Sequence, residues 1–385
     1  MTKRLWAGLD VGVETTTICV INDAGEVLHE GSCPTSAKDV HRELSCLRRK
    51  RHARVGLEAA TGMNLARALR NLGYRVEIYE ARQLSKFLRI RRNKTDAGDA
   101  SGIADAGRLG AGTVSRVHLK SLECQSLQSR LVIRRHLIRQ RVAVLNILSR
   151  QLELYGGRLR STKRGQVRGK VEAETKRLFG KVASPLTREL LHLADQYESL
   201  LAYQLSVDRE LRQCASENEV CSRLMEIPGV GPLCALSFYS AVGDPFRFRR
   251  SADVGSYFGL VPRIHQSGLT LKSGRISKMG NTAVRTSLVQ ASMTFMRYAD
   301  PQSRLRSWAS AVEERRGRKK ARVALARKLS TVMLAMWKNG ENYQPGTLSR
   351  HEEVEESRPN VQLGGDGHET ELCGERPREP LAAVL

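Results

Sequence analysis

The chain has 385 residues, long enough for two or three domains, and 41% of them are apolar, enough to fill real cores. Lys and Arg number 64 against 40 Asp and Glu, a formal net charge of +24. Acids outnumber bases ten to four from Glu341 onward, so the first 340 residues carry an excess of +30. A small-metabolite enzyme has no use for such an excess, whereas a protein that neutralises phosphates does.

Residues 1–110 read as α/β. A short apolar run at Leu5–Val11 and a β-branched alternation at Thr16–Asn22 predict two strands. The turn Asp23-Ala24-Gly25 sends Glu26–Glu30 back as a third. A helix follows over about Ser36–Arg49, then a strand at Arg54–Glu58, a helix at Met63–Leu72, a strand at Arg75–Tyr79 and a helix at Thr95–Arg108. Three strands able to form a meander, followed by alternating helices and strands, predict a mixed sheet with helical crossovers.

Residues 117–222 read as helical. Leu122, Leu127, Leu131, Ile138, Val142, Leu145, Leu148 and Leu152 recur at helical spacing with arginines between them, and Gly156-Gly157 ends the run. A very basic insert spans Arg158–Lys170. A second amphipathic helix is expected over about Leu186–Cys214, with Ser184 as N-cap and Pro185 near its first turn. Two such helices make an antiparallel hairpin or an oligomerising coiled coil, and a plain spacer is the ordinary alternative. Residues 223–340 read as a third unit, helical with Gly-rich irregular connections, and 341–385 as a disordered acidic tail. The expected boundaries are therefore 1–112, 113–222, 223–340 and 341–385.

Eight cysteines show no C-x-x-C pair and no zinc-finger spacing, so they read as small buried hydrophobes of a reducing, cytoplasmic setting. No apolar run reaches 18 residues, and the basic start lacks the apolar stretch of a secretory signal, so neither a membrane partner nor export is expected. Arg168-Gly169-Lys170-Val171 lacks the rest of a phosphate-binding Walker loop, which leaves ATP-driven chemistry unindicated.

The acids of the α/β region carry the first chemical signal. Asp10 and Glu58 each follow an apolar strand, and Asp96 and Asp99 are three apart at the start of a helix, hence on one face. Individually they have ordinary readings: Asp10 as a turn residue, Asp96 as a cap, Asp99 as a solvated side chain. Four converging carboxylates repel one another, and a divalent metal (Mg²⁺ or Mn²⁺) removes that penalty and can clamp a phosphodiester. As a set they resemble the RNase H/RuvC-like nucleases, whose acids sit on the first strand, the fourth strand and the last helix. Leu9-Asp10-Val11-Gly12-Val13-Glu14-Thr15-Thr16 also looks like the phosphate loop of sugar kinases and actin-like ATPases, but no second such loop follows and the charge is wrong for a metabolite kinase.

In the third unit, Glu226-Ile227-Pro228-Gly229-Val230-Gly231-Pro232 resembles the turn of a helix-hairpin-helix that contacts DNA backbone, or is simply an inter-helix turn. Further on lie Tyr257-Phe258-Gly259-Leu260-Val261-Pro262-Arg263, His265-Gln266-Ser267-Gly268 and Gly274-Arg275-Ile276-Ser277-Lys278-Met279-Gly280-Asn281, then Arg285. Arg263, Arg275, Lys278 and Arg285 are candidate phosphate partners, as are Arg91, Arg92 and Lys94 just before the acidic pair. Ser267, Ser273 and Ser277 are all candidate nucleophiles on chemistry alone, and Ser273 and Ser277 have equal claims as turn or cap residues.

Taken in order over about residues 5–340, these motifs resemble the insertion-sequence one-ten (DEDD) transposases, a family that includes Piv invertases and bridge-RNA-guided recombinases. The specific stretches are Gly8-Leu9-Asp10, Glu58-Ala59-Ala60-Thr61-Gly62, Lys94-Thr95-Asp96-Ala97-Gly98-Asp99-Ala100 and Ile227-Pro228-Gly229-Val230-Gly231, and the most specific is Tyr257–Pro262 with Ser267-Gly268 and Ile276–Asn281. The resemblance implies a RuvC-like domain holding metal on Asp10, Glu58, Asp96 and Asp99, a coiled coil for assembly, and a mostly helical transposase domain whose nucleophile is Ser267. It further implies DNA and an element-encoded structured RNA as partners, a homo-oligomer (dimer or tetramer), and strand rejoining through a phosphoserine without ATP. A hydrolytic RuvC-type nuclease and a non-enzymatic RNA- or DNA-binding protein are the alternatives.

Overall fold

The computed structural model describes residues 4–45, 53–59, 62–90, 95–110, 112–159, 166–180, 184–267 and 270–345. The chain divides into two compact units, Met1–Ser121 and Leu122–Leu385.

Unit 1 is a five-stranded mixed sheet with helices on both faces. Its strands are β1 (Leu5–Val11), β2 (Thr15–Asn22), β3 (Val27–Pro34), β4 (Ala53–Glu58) and β5 (Arg75–Tyr79), in the order β3-β2-β1-β4-β5. The meander β1–β2–β3 is antiparallel, and β1/β4 and β4/β5 are parallel, as the element order predicted. The first turn works because the Asn22 side chain accepts from the Ala24 and Glu26 N–H groups at 2.9 and 3.0 Å while Gly25 takes φ +87.

Alternation along the strands separates two faces. Leu5, Ala7 and Leu9 join Ile18, Val20, Val55, Leu57, Val76 and Ile78 in a core closed by α1 (Ala37–Ser45) and α2 (Met63–Asn71). The opposite face, with Trp6 and Gly8, is covered by α4 (Asp96–Leu109), while α3 (Ala81–Leu88), unforeseen in the sequence, adds Leu84 beside Tyr79 and Ile103. Gly8 is what brings α4 so close: a Cβ there would sit 2.0 Å from the Ala100 carbonyl oxygen and 2.4 Å from the Ala104 nitrogen.

Unit 2 is mostly helical. Its long pair is α5 (Leu122–Leu154) and α7 (Pro185–Glu217), the latter capped by the Ser184 hydroxyl, which accepts from the Thr187 N–H at 3.1 Å. Between them, starting within the basic insert, lies a helix the sequence did not announce, α6 (Val167–Phe179), with Val167 and Val171 buried against Val144, Leu148, Leu152, Leu190 and Leu201. Residues 160–165 of the basic insert lie outside the described residues. Much of the predicted apolar stripe is consumed within the chain: Leu148 and Leu152 are fully buried, and Leu127 joins the core of the C-terminal helices. Inside the long pair Asp208 is held by Arg134 and by the Gln204 amide at 3.2 Å. Burial alone would raise the Asp208 carboxyl, but those hydrogen bonds and the charges of Arg134 and Arg212 outweigh it and hold it below the usual range.

The rest of unit 2 is α8 (Glu219–Leu224), α9 (Pro232–Val242), α10 (Asp253–Tyr257), β6 (Pro262–Ser267), β7 (Thr270–Ile276), α11 (Thr282–Tyr298), α12 (Arg304–Arg316) and α13 (Arg318–Asn339). Within this mostly helical region, one of the Gly-rich connections read as irregular holds an antiparallel hairpin, β6–β7. Its polar, charged alternation lacks the β-branched density that marks a strand in sequence. Most of the tail, 346–385, lies outside the described residues, as do Cys46 and Cys373; no disulfide joins the six described cysteines, and burial pushes the Cys221 and Cys234 thiols up to about 12. No described helix is long and apolar enough to cross a membrane.

Candidate nucleic-acid-processing site

The four acids belong to one end of unit 1. Parallel pairing sets Leu9 opposite Leu57, so Asp10 and Glu58, the next residues, stand side by side at the carboxyl ends of adjacent central strands. Each lies two residues beyond a glycine of the pair Gly8↔Gly56, hence on the same face as those glycines, the face covered by α4.

The direction of α4 follows from the glycine contacts. Gly107 lies against the Trp6 ring, where a Cβ would come within 3.1 Å, and Ala104 and Ala100 lie over Gly8. Moving along β1 from Trp6 to Asp10 therefore moves backward along α4 toward its first turn, where Asp96 and Asp99 stand. Asp96 precedes Ala100 and Ala104 by steps of four, and Asp99 precedes Ile103 by the same step, so both acids extend the sheet-facing stripes of the helix. Capping is done by Thr95, whose hydroxyl accepts from the Gly98 N–H at 3.0 Å, so Asp96 is not needed for that purpose. The backbone turn after Asp10 is held by Gly12 N–H to the Thr15 carbonyl at 2.9 Å, with the Thr35 hydroxyl donating to the Gly12 carbonyl at 3.1 Å.

Asp96 is exposed and Asp10, Glu58 and Asp99 are half-buried. Among the described residues no three His, Cys, Asp or Glu side chains stand close enough to hold one ion. The acids thus share an end of the sheet without closing on a common point. As a donor set they are all carboxylate oxygens, which suits a hard divalent cation and no soft metal. Arg91, Arg92 and Lys94, which lead into α4, lie outside the described residues.

In unit 2 the two sequence-specific stretches are clasped together. A Cβ on Gly259, at φ +68, would meet the Met279 carbonyl oxygen at 2.1 Å, and one on Gly280, at φ +98, would meet the Tyr257 carbonyl oxygen at 2.1 Å. Three backbone and side-chain bonds close the clasp: Ser277 N–H to the Val261 carbonyl at 2.8 Å, Lys278 N–H to the Gly259 carbonyl at 3.1 Å, and the Arg285 guanidinium to the Phe258 carbonyl at 3.0 Å. Lys278 itself adopts φ +56, a strained conformation for a side-chain-bearing residue. The clasp explains both glycines, and it shows Arg285 half-buried and anchoring backbone. Arg275 and Lys278 are exposed, and exposed Arg263 donates to the Ser277 carbonyl at 3.2 Å.

The hairpin β6–β7 grows from this clasp. Ser267 is the last residue of β6 and pairs with Thr270, at the end of the ribbon remote from the clasp, and Ser273 pairs with Ile264 midway along it. Ser277 lies in the clasp, where its hydroxyl accepts from the Met279 N–H at 3.4 Å. The loop Ile227–Gly231 between α8 and α9 sits flush on α11, since a Cβ on Gly229 would lie 2.6 Å from the Ala291 carbonyl oxygen. The two glycines that precede the strand-end acids serve different neighbours: Gly8 admits the backbone of α4, and Gly56 admits the Tyr79 ring, which a Cβ would meet at 2.6 Å. A further unread feature is Arg247, whose guanidinium lies 4.2 and 4.4 Å from the centroids of the Phe248 and Tyr257 rings, which themselves meet edge to face.

Acids at one end of an α/β sheet, a glycine-clasped ribbon bearing serine, and a large positive charge define a nucleic-acid-processing enzyme. Two family models match the chain: a DEDD transposase model over residues 7–156 and the Transposase IS116/IS110/IS902 family over residues 221–307. The transposase of insertion sequence element IS1111A from Coxiella burnetii is 30% identical, with 88% of this chain and 91% of that protein covered. A probable family 20 transposase from Pseudomonas aeruginosa is 28% identical over 80% of this chain and 94% of that protein. The transposase of insertion sequence element IS1328 from Yersinia enterocolitica is 28% identical over 72% of this chain and 81% of that protein. The chain belongs to the IS110 family of insertion-sequence transposases, enzymes of DNA transposition.

Proposed function

We propose that the enzyme cuts and rejoins DNA by serine transesterification assisted by a divalent metal, within an RNase H/RuvC-like N-terminal domain and a C-terminal domain bearing Ser267. The observation that carries the metal half is the shared sheet end of Asp10 and Glu58, faced by the first turn of α4 with Asp96 and Asp99. The strand order β3-β2-β1-β4-β5 supports the RuvC-like reading. Mg²⁺ or Mn²⁺ held by these four carboxylates would neutralise oxygens of the scissile phosphate and favour the ionised form of the attacking hydroxyl.

The Ser267 oxygen forms a bond to phosphorus as the bond from phosphorus to the departing deoxyribose oxygen breaks, and the serine proton ends on that leaving oxygen. One phosphodiester replaces another, so the reverse attack rejoins DNA without ATP. Arg263, Arg275 and Lys278 hold the DNA backbone around the ribbon, and Arg285 sets its base. Support for Ser267 over its neighbours comes from the backbone: Ser277 is engaged in the clasp and Ser273 lies mid-strand. The charge excess and the family resemblance support guidance by an element-encoded RNA, and the long helices α5 and α7 support assembly into a dimer or tetramer.

The test is a denaturing gel of the wild-type protein with DNA carrying the element's ends, with and without chelator. A metal-dependent protein–DNA adduct mapped by mass spectrometry to Ser267 supports the reading. Cleavage with no adduct would assign hydrolysis instead, and an adduct on Ser273 or Ser277 would move the nucleophile. Sequencing RNA that co-purifies with the protein checks the guide, and sedimentation checks the assembly.

A further inference from the structure

Outside both family-model matches, α12 ends and α13 begins on a single shared residue, Gly317, at φ +80. Around it the segment Arg315-Arg316-Gly317-Arg318-Lys319-Lys320-Ala321-Arg322 places six cations in eight residues. Residues 315–320 are exposed, while Ala309, Ala321 and Leu325 are buried and fix the two helices beneath them. Among the described residues the corner has one ion pair, Arg318 to Glu313 at 3.9 Å, between groups 73% and 37% exposed.

The arrangement is unfavourable for a free protein. Cations suit the end of α12, where Arg315 and Arg316 face the negative pole of the helix. They do not suit the start of α13, where Arg318, Lys319 and Lys320 meet the positive pole, no acid stands in the first turn and no side chain caps the helix. Arg318–Arg322 and Lys319–Arg322 are like-charge pairs at helical contact spacing. A polyanion laid across the corner offsets the helix pole and the mutual repulsion together. Residues 309–322 contain no aromatic side chain on which an unstacked base could lie, so the surface is suited to phosphates and to a paired helix rather than to splayed bases.

We infer that the α12–α13 corner is a sequence-independent docking surface for the backbone of duplex DNA. It deepens the proposed function by adding a place where the substrate duplex is held, and it rests on DNA being the substrate. Contacts here carry no base information; they set affinity and its dependence on salt.

The experiment compares the full chain with the variant R315Q/R316Q/R318Q/K319Q/K320Q and with a control that loses exposed arginines elsewhere, R150Q/R188Q/R209Q. Each is titrated with a labelled duplex of arbitrary sequence and with a labelled RNA hairpin over a range of salt concentrations. The corner variant should bind the duplex at least about tenfold more weakly near physiological salt, with a log–log slope flatter by roughly two to four, at about 0.9 per lost phosphate contact. The control should keep most of the wild-type slope. If the corner variant melts early, K319Q/K320Q gives the same reading with a smaller flattening. An unchanged duplex slope, or equal flattening in the control, overturns the inference. Loss confined to the RNA hairpin also overturns it and makes the corner an RNA surface. A wild-type protein that binds the duplex through the corner yet forms no serine adduct would overturn the proposed chemistry and leave this surface standing.

Discussion

Unit 1 and the ribbon of unit 2 position the groups proposed to react by opposite means. The acids of unit 1 stand on central strands and on a helix pressed against them, where Gly8 lets backbone meet backbone. Ser267 ends a two-stranded ribbon whose residues 262–266 and 273–275 are exposed. An isolated two-stranded hairpin is marginal in water, so what aims this one is its root, where Gly259 and Gly280 interlock. Under the proposed roles, carboxylates that share a metal tolerate little displacement, while a nucleophile on a ribbon held at its root alone has more freedom to meet a phosphate.

Substitutions in the two regions separate these means of positioning. Ser267→Ala should eliminate covalent adduct and recombinant product while leaving DNA affinity almost unchanged, read on denaturing and native gels; Ser277→Ala should retain the adduct. Asp10→Asn, Glu58→Gln, Asp96→Asn and Asp99→Asn should each cut strand transfer by roughly 10³-fold, the equivalent of about 4 kcal/mol of lost charge stabilisation, in proteins that melt like wild type. Near wild-type activity in folded Asp96→Asn and Asp99→Asn would remove α4 from the site. Gly259→Ala should lower adduct yield with little change in the folding of unit 1, whereas Gly8→Val should destabilise unit 1 by at least about 1–3 kcal/mol, because its neighbours are backbone that cannot step aside. If Gly259→Ala is silent, the clasp does not aim the ribbon.

A fourth prediction concerns the seam of the long helices. Arg134→Met strands the Asp208 carboxylate and should cost unit 2 about 3–5 kcal/mol, measured by denaturant unfolding. Because the carboxyl is held low in the folded protein, its contribution is present above the unfolded pKa near 3.9 and is lost as pH falls through the folded value. The variant should therefore lose the acid-dependent part of wild-type unfolding below about pH 4. The smallest effect is expected of Thr95→Ala, about 1 kcal/mol from the lost cap of α4, visible as a slight drop in melting temperature.

The same contrast explains what could be read from sequence. In unit 1, β-branched alternation, a strong turn at Asn22–Gly25 and capped helices gave local signals that agree with the tertiary fold, so every strand was legible. The helix α3 was missed because it is short and interrupts a loop between motifs. The ends of α7 were readable from Ser184 and Pro185, whereas α6 was hidden inside a basic run whose few apolar residues, Val167 and Val171, show their value only against α5 and α7. The ribbon escaped because its pattern is polar on both faces. The convergence of Asp10 with α4 depends on a crossing that no local pattern encodes, and its one sequence trace is the bare glycine at position 8.

That glycine also sets an order in time. Gly8 and Ala100 stand near opposite ends of the sequence of unit 1, so strand and helix meet only after almost the whole unit has left the ribosome. Contacts between such distant segments form late, because the loop between them must be closed first. A nascent chain therefore presents Asp10 and Glu58 without Asp96 and Asp99, and the acidic end of the sheet is completed only as α4 docks. The acidic end is thus the last part of unit 1 to be completed, at a stage when most of unit 2 has still to be synthesised.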